Sequence, residues 1–313
     1  MAQEQESRGG AWRALRQRWA GRSAERGAAG EDGSRLRSRR LNRPDRTRVL
    51  TTSNQKGGVG KTTTTVNLAA AMARAGMRVL VIDIDPQGNA STALNIPHTG
   101  EVASVYDVLL GEMPLQDAVQ DAPDVDGLQV VPATIDLAGA EIELVSMVAR
   151  EQRLARALEA YMSWREAQGQ EPLDYVFIDC PPSLGLLTVN AFVAAEEVLI
   201  PIQAEYYALE GLSQLLKNVE MIRTHLNPKL QVSTILLTMF DARTNLAVQV
   251  AEEVRAHFPD QLLSTAIPRN VRISEAPSYQ QTVLTYDPAS AGAVAYREAA
   301  AEIARKGAPA RQG

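Results

Sequence analysis

Cysteine is almost missing: the 313 residues hold one, Cys180. A single thiol excludes an intramolecular disulfide framework and any four-thiolate metal site built from one chain. Long apolar stretches are missing too. No run of about 18 uncharged apolar residues occurs, so no segment is a candidate membrane-spanning helix. Arg13, Arg16 and Arg18 interrupt what would be the apolar part of a signal peptide, and a cytoplasmic protein is expected. Histidine is scarce, and His98, His225 and His257 lack metal-ligand spacing, which reads them as surface or packing residues. Lysine is scarcer than arginine: of 32 basic residues only five are Lys, at 56, 61, 217, 229 and 306. Two of these five lie in one glycine-rich loop, where a compact ammonium differs in use from a planar guanidinium.

What is present is an ordinary globular composition, 45% apolar and 22% charged, long enough to bury a sizeable core. The net charge of −5 averages two unlike pieces. Residues 1–48 carry 13 Arg and six acids, a sum of +7, which leaves −12 for the rest. A basic head on an acidic body points to an anionic partner for the head.

Residues 1–47 are rich in Arg, Gly, Ser and Ala, and poor in aliphatics, and are expected to form a disordered extension. Within them Ala11–Ala20 is patterned as a short helix with Trp12, Leu15 and Trp19 on one side. That pattern suits a solvated tail, or docking on an anionic surface such as a membrane or DNA, or on a scaffold protein. From residue 48 short apolar runs alternate with helical patterns, the signature of a mostly parallel, twisted sheet with helices on both faces. Strands are expected at 48–53, 78–83, 128–132, 175–179, 197–201, 231–238 and 263–266. Helices are expected at 61–75, 102–110, 136–161 (one or two in series), 186–195, 209–224, 245–257 and 289–305. The body, 48–306, reads as one α/β domain and 307–313 as a frayed tail.

The most specific segment is Ser53-Asn-Gln-Lys-Gly-Gly-Val-Gly-Lys-Thr-Thr63, set between a strand and a helix. Gly57, Gly58 and Gly60 let the backbone of Lys56 to Thr63, Val59 included, turn N–H groups around phosphate oxygens at a helix N-terminus. Lys61 would reach the β- and γ-phosphates, and the Thr62 hydroxyl would ligate Mg²⁺. This is a P-loop, and it predicts a three-layer α/β/α NTPase. Asp83 and Asp85 follow a second strand, and Asp179 ends a third. Ligands of open α/β sheets collect at such strand ends, where one carboxylate can hold the metal's water shell and another the attacking water. Asp179 takes the Walker-B place, binding Mg²⁺ through water.

The standard loop pattern asks for Gly at the position of Gln55, and Lys56 stands beside it. That variant loop, with Asp83-Ile-Asp-Pro-Gln-Gly-Asn89, resembles the ParA/Soj-type chromosome or plasmid partition ATPases, a group that includes MinD and the nitrogenase iron protein. The resemblance covers roughly residues 48–305. It implies ATP and Mg²⁺ as ligands, and a nucleotide-sandwich homodimer in which Lys56 reaches the partner subunit's phosphates. It makes Asp85 the first candidate for positioning water and Asp83 the second. It implies base contacts from Met239, Pro268 and Asn270, hence ATP over GTP, and no Asn-Lys-x-Asp guanine reader occurs. It makes Arg243 and Arg272 contacts to nonspecific double-stranded DNA, places the dimer on the nucleoid, and implies a ParB-type centromere-binding protein that stimulates a weak hydrolysis. The alternative within the group is a MinD-like membrane-associated regulator. That reading needs a basic amphipathic C-terminal helix, and Glu302-Ile-Ala-Arg-Lys-Gly-Ala-Pro is a poor one. The iron-protein relatives need two cysteines per subunit; this chain has one, so Cys180 reads as a structural thiol.

Overall fold

The computed structural model describes residues 41–205 and 208–307; the head segment Ala11–Ala20 and residues 308–313 of the tail lie outside them. Seven strands make one sheet: β1 (Arg48–Thr52), β2 (Val79–Asp83), β3 (Gln120–Asp121), β4 (Leu128–Val131), β5 (Tyr175–Asp179), β6 (Glu197–Gln203) and β7 (Gln231–Thr238). Their order is β3-β4-β2-β5-β1-β6-β7. Every pairing is parallel except the two-residue β3 against β4. The helices are α1 (Lys61–Arg74), α2 (Asn89–Ala93), α3 (Val105–Leu110), α4 (Leu115–Ala118), α5 (Leu137–Leu144), α6 (Arg153–Ala167), α7 (Leu186–Ala194), α8 (Ala208–His225), α9 (Asn245–His257), α10 (Val271–Glu275), α11 (Val283–Tyr286) and α12 (Ala291–Lys306).

Strands β1, β2 and β5 are buried along their whole length, as expected where helices cover both faces of a parallel sheet. The period of two along each strand divides the core. Val79, Val81, Tyr175 and Phe177 pack with α1 and α12 on one face. Leu80, Ile82, Val176 and Ile178 pack with α3, α5, α6, α7, α8 and α9 on the other. At the end of β1 away from the glycine-rich loop, buried Arg48 forks onto Glu197 of β6 at 2.6 and 2.8 Å and donates to the Ile303 carbonyl of α12. Removing either partner would strand the other charge in a dry site.

The expected strand at 263–266 is not one. Only isolated bridges form, Leu262 with Ile235 and Pro268 with Phe240. The Leu263 and Ile267 N–H groups still donate to the Ile235 and Leu237 carbonyls of β7, but the Thr265 N–H between them donates to the Glu302 carboxylate on α12, which interrupts the ladder. The single long helix allowed over 136–161 is two, α5 and α6. Ala149, with φ of 52°, and a 3₁₀ turn at Arg150–Gln152 part them. The helix expected from residue 102 starts at Val105, where Ser104 and Asp107 form a reciprocal capping box.

Candidate functional site

The strand register gathers three polar side chains at the C-terminal edge of the sheet. Thr52 of β1 lies beside Asp179 of β5, and Asp179 beside Asp83 of β2. The glycine-rich loop leaves β1 at this edge and enters α1 through Gly60, whose φ of 85° is left-handed and which gives the helix no side-chain cap. Gly58 has φ of 73°. A side chain at either position would be strained. The first turn of α1 therefore presents its backbone N–H groups, with the positive end of the helix dipole, to whatever sits in the loop. The loop is tied from three sides. Asn54 donates to the Pro201 carbonyl and accepts from the Lys56 N–H, and Thr238 at the end of β7 donates to the Val59 carbonyl at 2.8 Å.

Lys61 is 8% exposed, and its Nζ donates to the Lys56 carbonyl at 3.4 Å. Burial lowers its pKa from the usual lysine value, against the pull of Asp179, Asp85 and Cys180. It is thus a desolvated cation aimed into the loop and thinly satisfied by the protein itself. Asp179 is fully buried and accepts from Thr62 Oγ1 at 2.7 Å and Thr65 Oγ1 at 2.9 Å. Asp83 is also fully buried. It accepts from Ser91 N and Oγ on one oxygen and from the Asp85 N–H on the other. Burial pushes both carboxyls above the ordinary carboxylate range, and each neighbouring negative charge adds to the shift. Asp85, 7% exposed, accepts from the Gln87 N–H in the turn that Gly88 closes. Gly88 has φ of 62°, and a Cβ there would meet His98 Nδ1 at 3.0 Å and the Ala133 carbonyl at 3.2 Å.

The remaining sequence candidates fall into two groups. Met239, left-handed at φ 48°, follows β7 directly beyond the loop-binding Thr238, and Pro268 is bridged to the adjacent Phe240. Asn270 uses its Oδ1 to cap α10, accepting from the Arg272 N–H at 2.8 Å. Lys56 stands apart from Lys61. Its side chain is 42% exposed, and its Nζ meets Glu205 Oε2 at 2.5 Å. Arg243 is 89% exposed and forked onto Asp241, which it holds down at about 2. Arg272 pairs with Glu275 and Asp287.

Sequence reasoning missed Thr65, Ser91 and Glu205, the three partners of Asp179, Asp83 and Lys56. Thr65 alone carried a signal, since it lies one helical turn after Lys61 on the same face as Thr62. Arg269, an exposed residue whose charge acts on Asp241 as that of Arg243 does, was missed as well. Cys180 is buried against Thr51, 3.0 Å away, and its thiol is pushed up to about 12 by burial, so it stays neutral. His98 bonds Thr92 and His257 lies against Glu253.

Phosphate and a hard divalent cation fit this residue set. The uncapped helix start and the buried Lys61 ammonium supply donors for phosphate oxygens. Thr62, Asp179 and Asp85 offer oxygen ligands only, which suits Mg²⁺ over softer metals. Among the described residues no group of three or more His, Cys, Asp or Glu is arranged to hold a metal. Mg²⁺ in phosphoryl-transfer sites needs only one or two protein ligands, with phosphate and water completing its shell.

The AAA domain family model matches residues 47–232. The chain is 53% identical over 260 residues to the sporulation initiation inhibitor protein Soj of Bacillus subtilis, which spans 83% of this chain and 99% of that protein. It is 52% identical to the chromosome partitioning protein ParA of Caulobacter vibrioides, over 82% of this chain and 93% of that protein. Among solved structures, a cobyrinic acid a,c-diamide synthase from Mycobacterium smegmatis with bound ADP and magnesium superposes with a TM-score of 0.68 at 37% identity, covering 81% of this chain and 92% of that one. The septum site-determining protein MinD of Pyrococcus horikoshii, complexed with Mg-ADP, gives 0.62 at 25% identity over 81% and 94%.

Proposed function

Because this chain belongs to the Soj/ParA family of chromosome-partitioning ATPases, we propose that it is an ATP-driven switch for DNA segregation. ATP occupies the loop, with its phosphates on the α1 N-terminus and Lys61, and Met239, Pro268 and Asn270 flank the base. Thr62 would hold Mg²⁺ directly and Asp179 would hold it through water, and the ion would supply charge neutralisation to the phosphates. Asp85, the less buried of the two carboxylates at the end of β2, orients the attacking water, while Asp83 braces the turn through Ser91.

The observation that carries this reading is the opposed placement of the two loop lysines. Lys61 is buried over its own site, whereas Lys56 projects at the rim and meets Glu205. A cation in that outward place serves the phosphates of a second subunit clamped face to face, so hydrolysis is coupled to dimerisation. The ATP dimer then binds duplex DNA without sequence preference through Arg243 and Arg272, on the nucleoid in the cytoplasm. A ParB-type centromere-binding protein stimulates the weak hydrolysis that releases it.

DNA binding by the double variant Arg243→Glu with Arg272→Glu tests the reading. Four phosphate contacts per dimer contribute about 3.6 to the slope of log affinity against log salt. The variant is expected to lose that much of the slope and at least about 100-fold in affinity for nonspecific duplex at physiological salt. Wild-type affinity and salt slope in the variant would contradict it.

A further inference from the structure

The proposed function leaves two features unused: the Arg-rich head, and a cleft of about 340 Å³ beside α3. The cleft lies between the bend at residues 100–104, the start of α3 and the loop after β4. Glu101, Asp107 and Asp136 line it, together with the apolar surfaces of Val102, Tyr106 and Met113. No Lys, Arg or His is among its described lining residues. The Tyr106 phenol is held above its ordinary pKa by desolvation and by Glu143, Glu112 and Asp136 around it, so the negative field extends beyond the lining itself. The basic groups closest in the chain are engaged elsewhere: His98, two residues before Gly100, is bonded to Thr92, and the two nearest arginines are turned away. Arg153 donates to the Leu109 and Leu110 carbonyls at the far end of α3, and Arg150 pairs with Glu151 and the Val145 carbonyl.

An apolar strip continues from the cleft. Ile135, between lining residues Thr134 and Asp136, is 70% exposed, and Ile142, Val145 and Val148 are exposed along and just beyond α5. The opposite side of α5 is buried through Leu137, Ala140 and Leu144. Exposed aliphatics in such a series beside a carboxylate-lined cleft mark a surface for an amphipathic cationic segment.

The chain contains one. Ala11–Ala20 places Trp12, Leu15 and Trp19 at helical spacing and Arg13, Arg16 and Arg18 among them. We propose that Ala11–Ala20 docks on its own body, with the guanidiniums against Glu101, Asp107 and Asp136 and the apolar residues along Ile135, Ile142 and Val145. Reach is ample. A chain of 20 residues, the number from 21 to 40, can span up to about 70 Å at most. A body of this size has a radius of gyration of about 18 Å. The tether sets an effective concentration in the range of about 1 mM, so a weak site suffices. Docking does not depend on the nucleotide reading, because none of these residues belongs to the loop, the carboxylates of the phosphate site or the basic group of the C-terminal third.

Cross-linking in the full chain tests it. Cys180 is buried, so thiols introduced by Leu15→Cys and Ile135→Cys are the accessible pair, and Ile135 is exposed enough to be replaced without loss of fold. A short bis-maleimide is expected to join 15 to 135 within one chain at least about tenfold more than it joins 15 to Met221→Cys, an exposed control position on α8. The excess is expected to vanish at about 1 M salt and with Arg13→Glu, Arg16→Glu and Arg18→Glu combined. Equal yields at 135 and 221, an excess that survives charge reversal, or products joining only two different chains would overturn the proposal. The last result would assign the strip to a second copy.

Discussion

Lys61→Ala is expected to abolish nucleotide-dependent behaviour while leaving the unliganded protein as stable as the wild type or more so. The two effects have one cause. Lys61 is a buried ammonium whose charged form burial disfavours and whose donor contact to the Lys56 carbonyl is long. Truncating it removes a poorly compensated charge from the dry edge of the sheet, which costs the unliganded fold little. A bound triphosphate, by contrast, would lose the ammonium proposed to reach its terminal phosphates. Removal of one preorganised electrostatic group of this kind lowers turnover by about 100- to 1,000-fold. In thermal unfolding, ATP with Mg²⁺ at 100 times its Kd stabilises a native state by about 2.7 kcal/mol. For a body of this size that is a rise of about 5–10 °C. The wild type is expected to show the rise and the variant none. A variant that still rises with ATP would remove the loop from the account.

Asp179→Asn is expected to weaken Mg²⁺-dependent nucleotide binding by about 10- to 100-fold, the usual cost of losing a carboxylate that orients a metal through an intervening ligand. It is also expected to change how the unliganded protein responds to pH. The native Asp179 carboxyl is raised above its unfolded value by burial first and by Asp83 next. The native state therefore holds more protons than the unfolded chain, and stability falls as pH rises from the unfolded value near 4 toward the raised native one. Asparagine cannot ionise, and its removal of the negative charge also relieves Asp83. Unfolding midpoints in denaturant, followed from pH 5 to pH 8, are expected to decline in the wild type and to flatten in the variant. The variant gives up part of the paired acceptance from Thr62 and Thr65, a loss of about 1 kcal/mol that does not depend on pH. A steeper decline in the variant would contradict the assignment of Asp179 as a buried, charge-strained group.

The parts of this molecule legible in its sequence are those governed by local chemistry. The glycines and lysines of the loop, the carboxylates at strand ends, and the apolar runs of β1, β2 and β5 all declare themselves within a few residues. The extent of β7 and of α9 did so to the residue. What was not legible depends on contacts distant in the chain. Residues 263–266 have strand composition, yet Glu302 from the last helix takes the Thr265 N–H that a continuous ladder would need. Strand order is set by which crossovers pack together, so the register that aligns Thr52, Asp179 and Asp83 could not be read from any one segment. Glu205 is 149 residues from Lys56, and no pattern linked them. Arg243 and Arg272 were legible as cations, but their pairing with Asp241, Glu275 and Asp287 was not. On the proposed reading each would have to exchange a carboxylate for a phosphate, which favours DNA contact only when several act together.

That cooperative requirement would make nucleotide state the decisive variable in the proposed switch. On that proposal a body with a net charge of −12 is expected to meet DNA weakly as a single chain, and clamping two copies would double the cationic contacts without adding any new residue. The most direct test is the affinity of the full chain for a nonspecific duplex with ATP and Mg²⁺ and again with ADP and Mg²⁺, at one fixed physiological salt concentration. Doubling a small set of phosphate contacts predicts an ATP form that binds at least about 100-fold more tightly. Equal affinity of the two forms would contradict it.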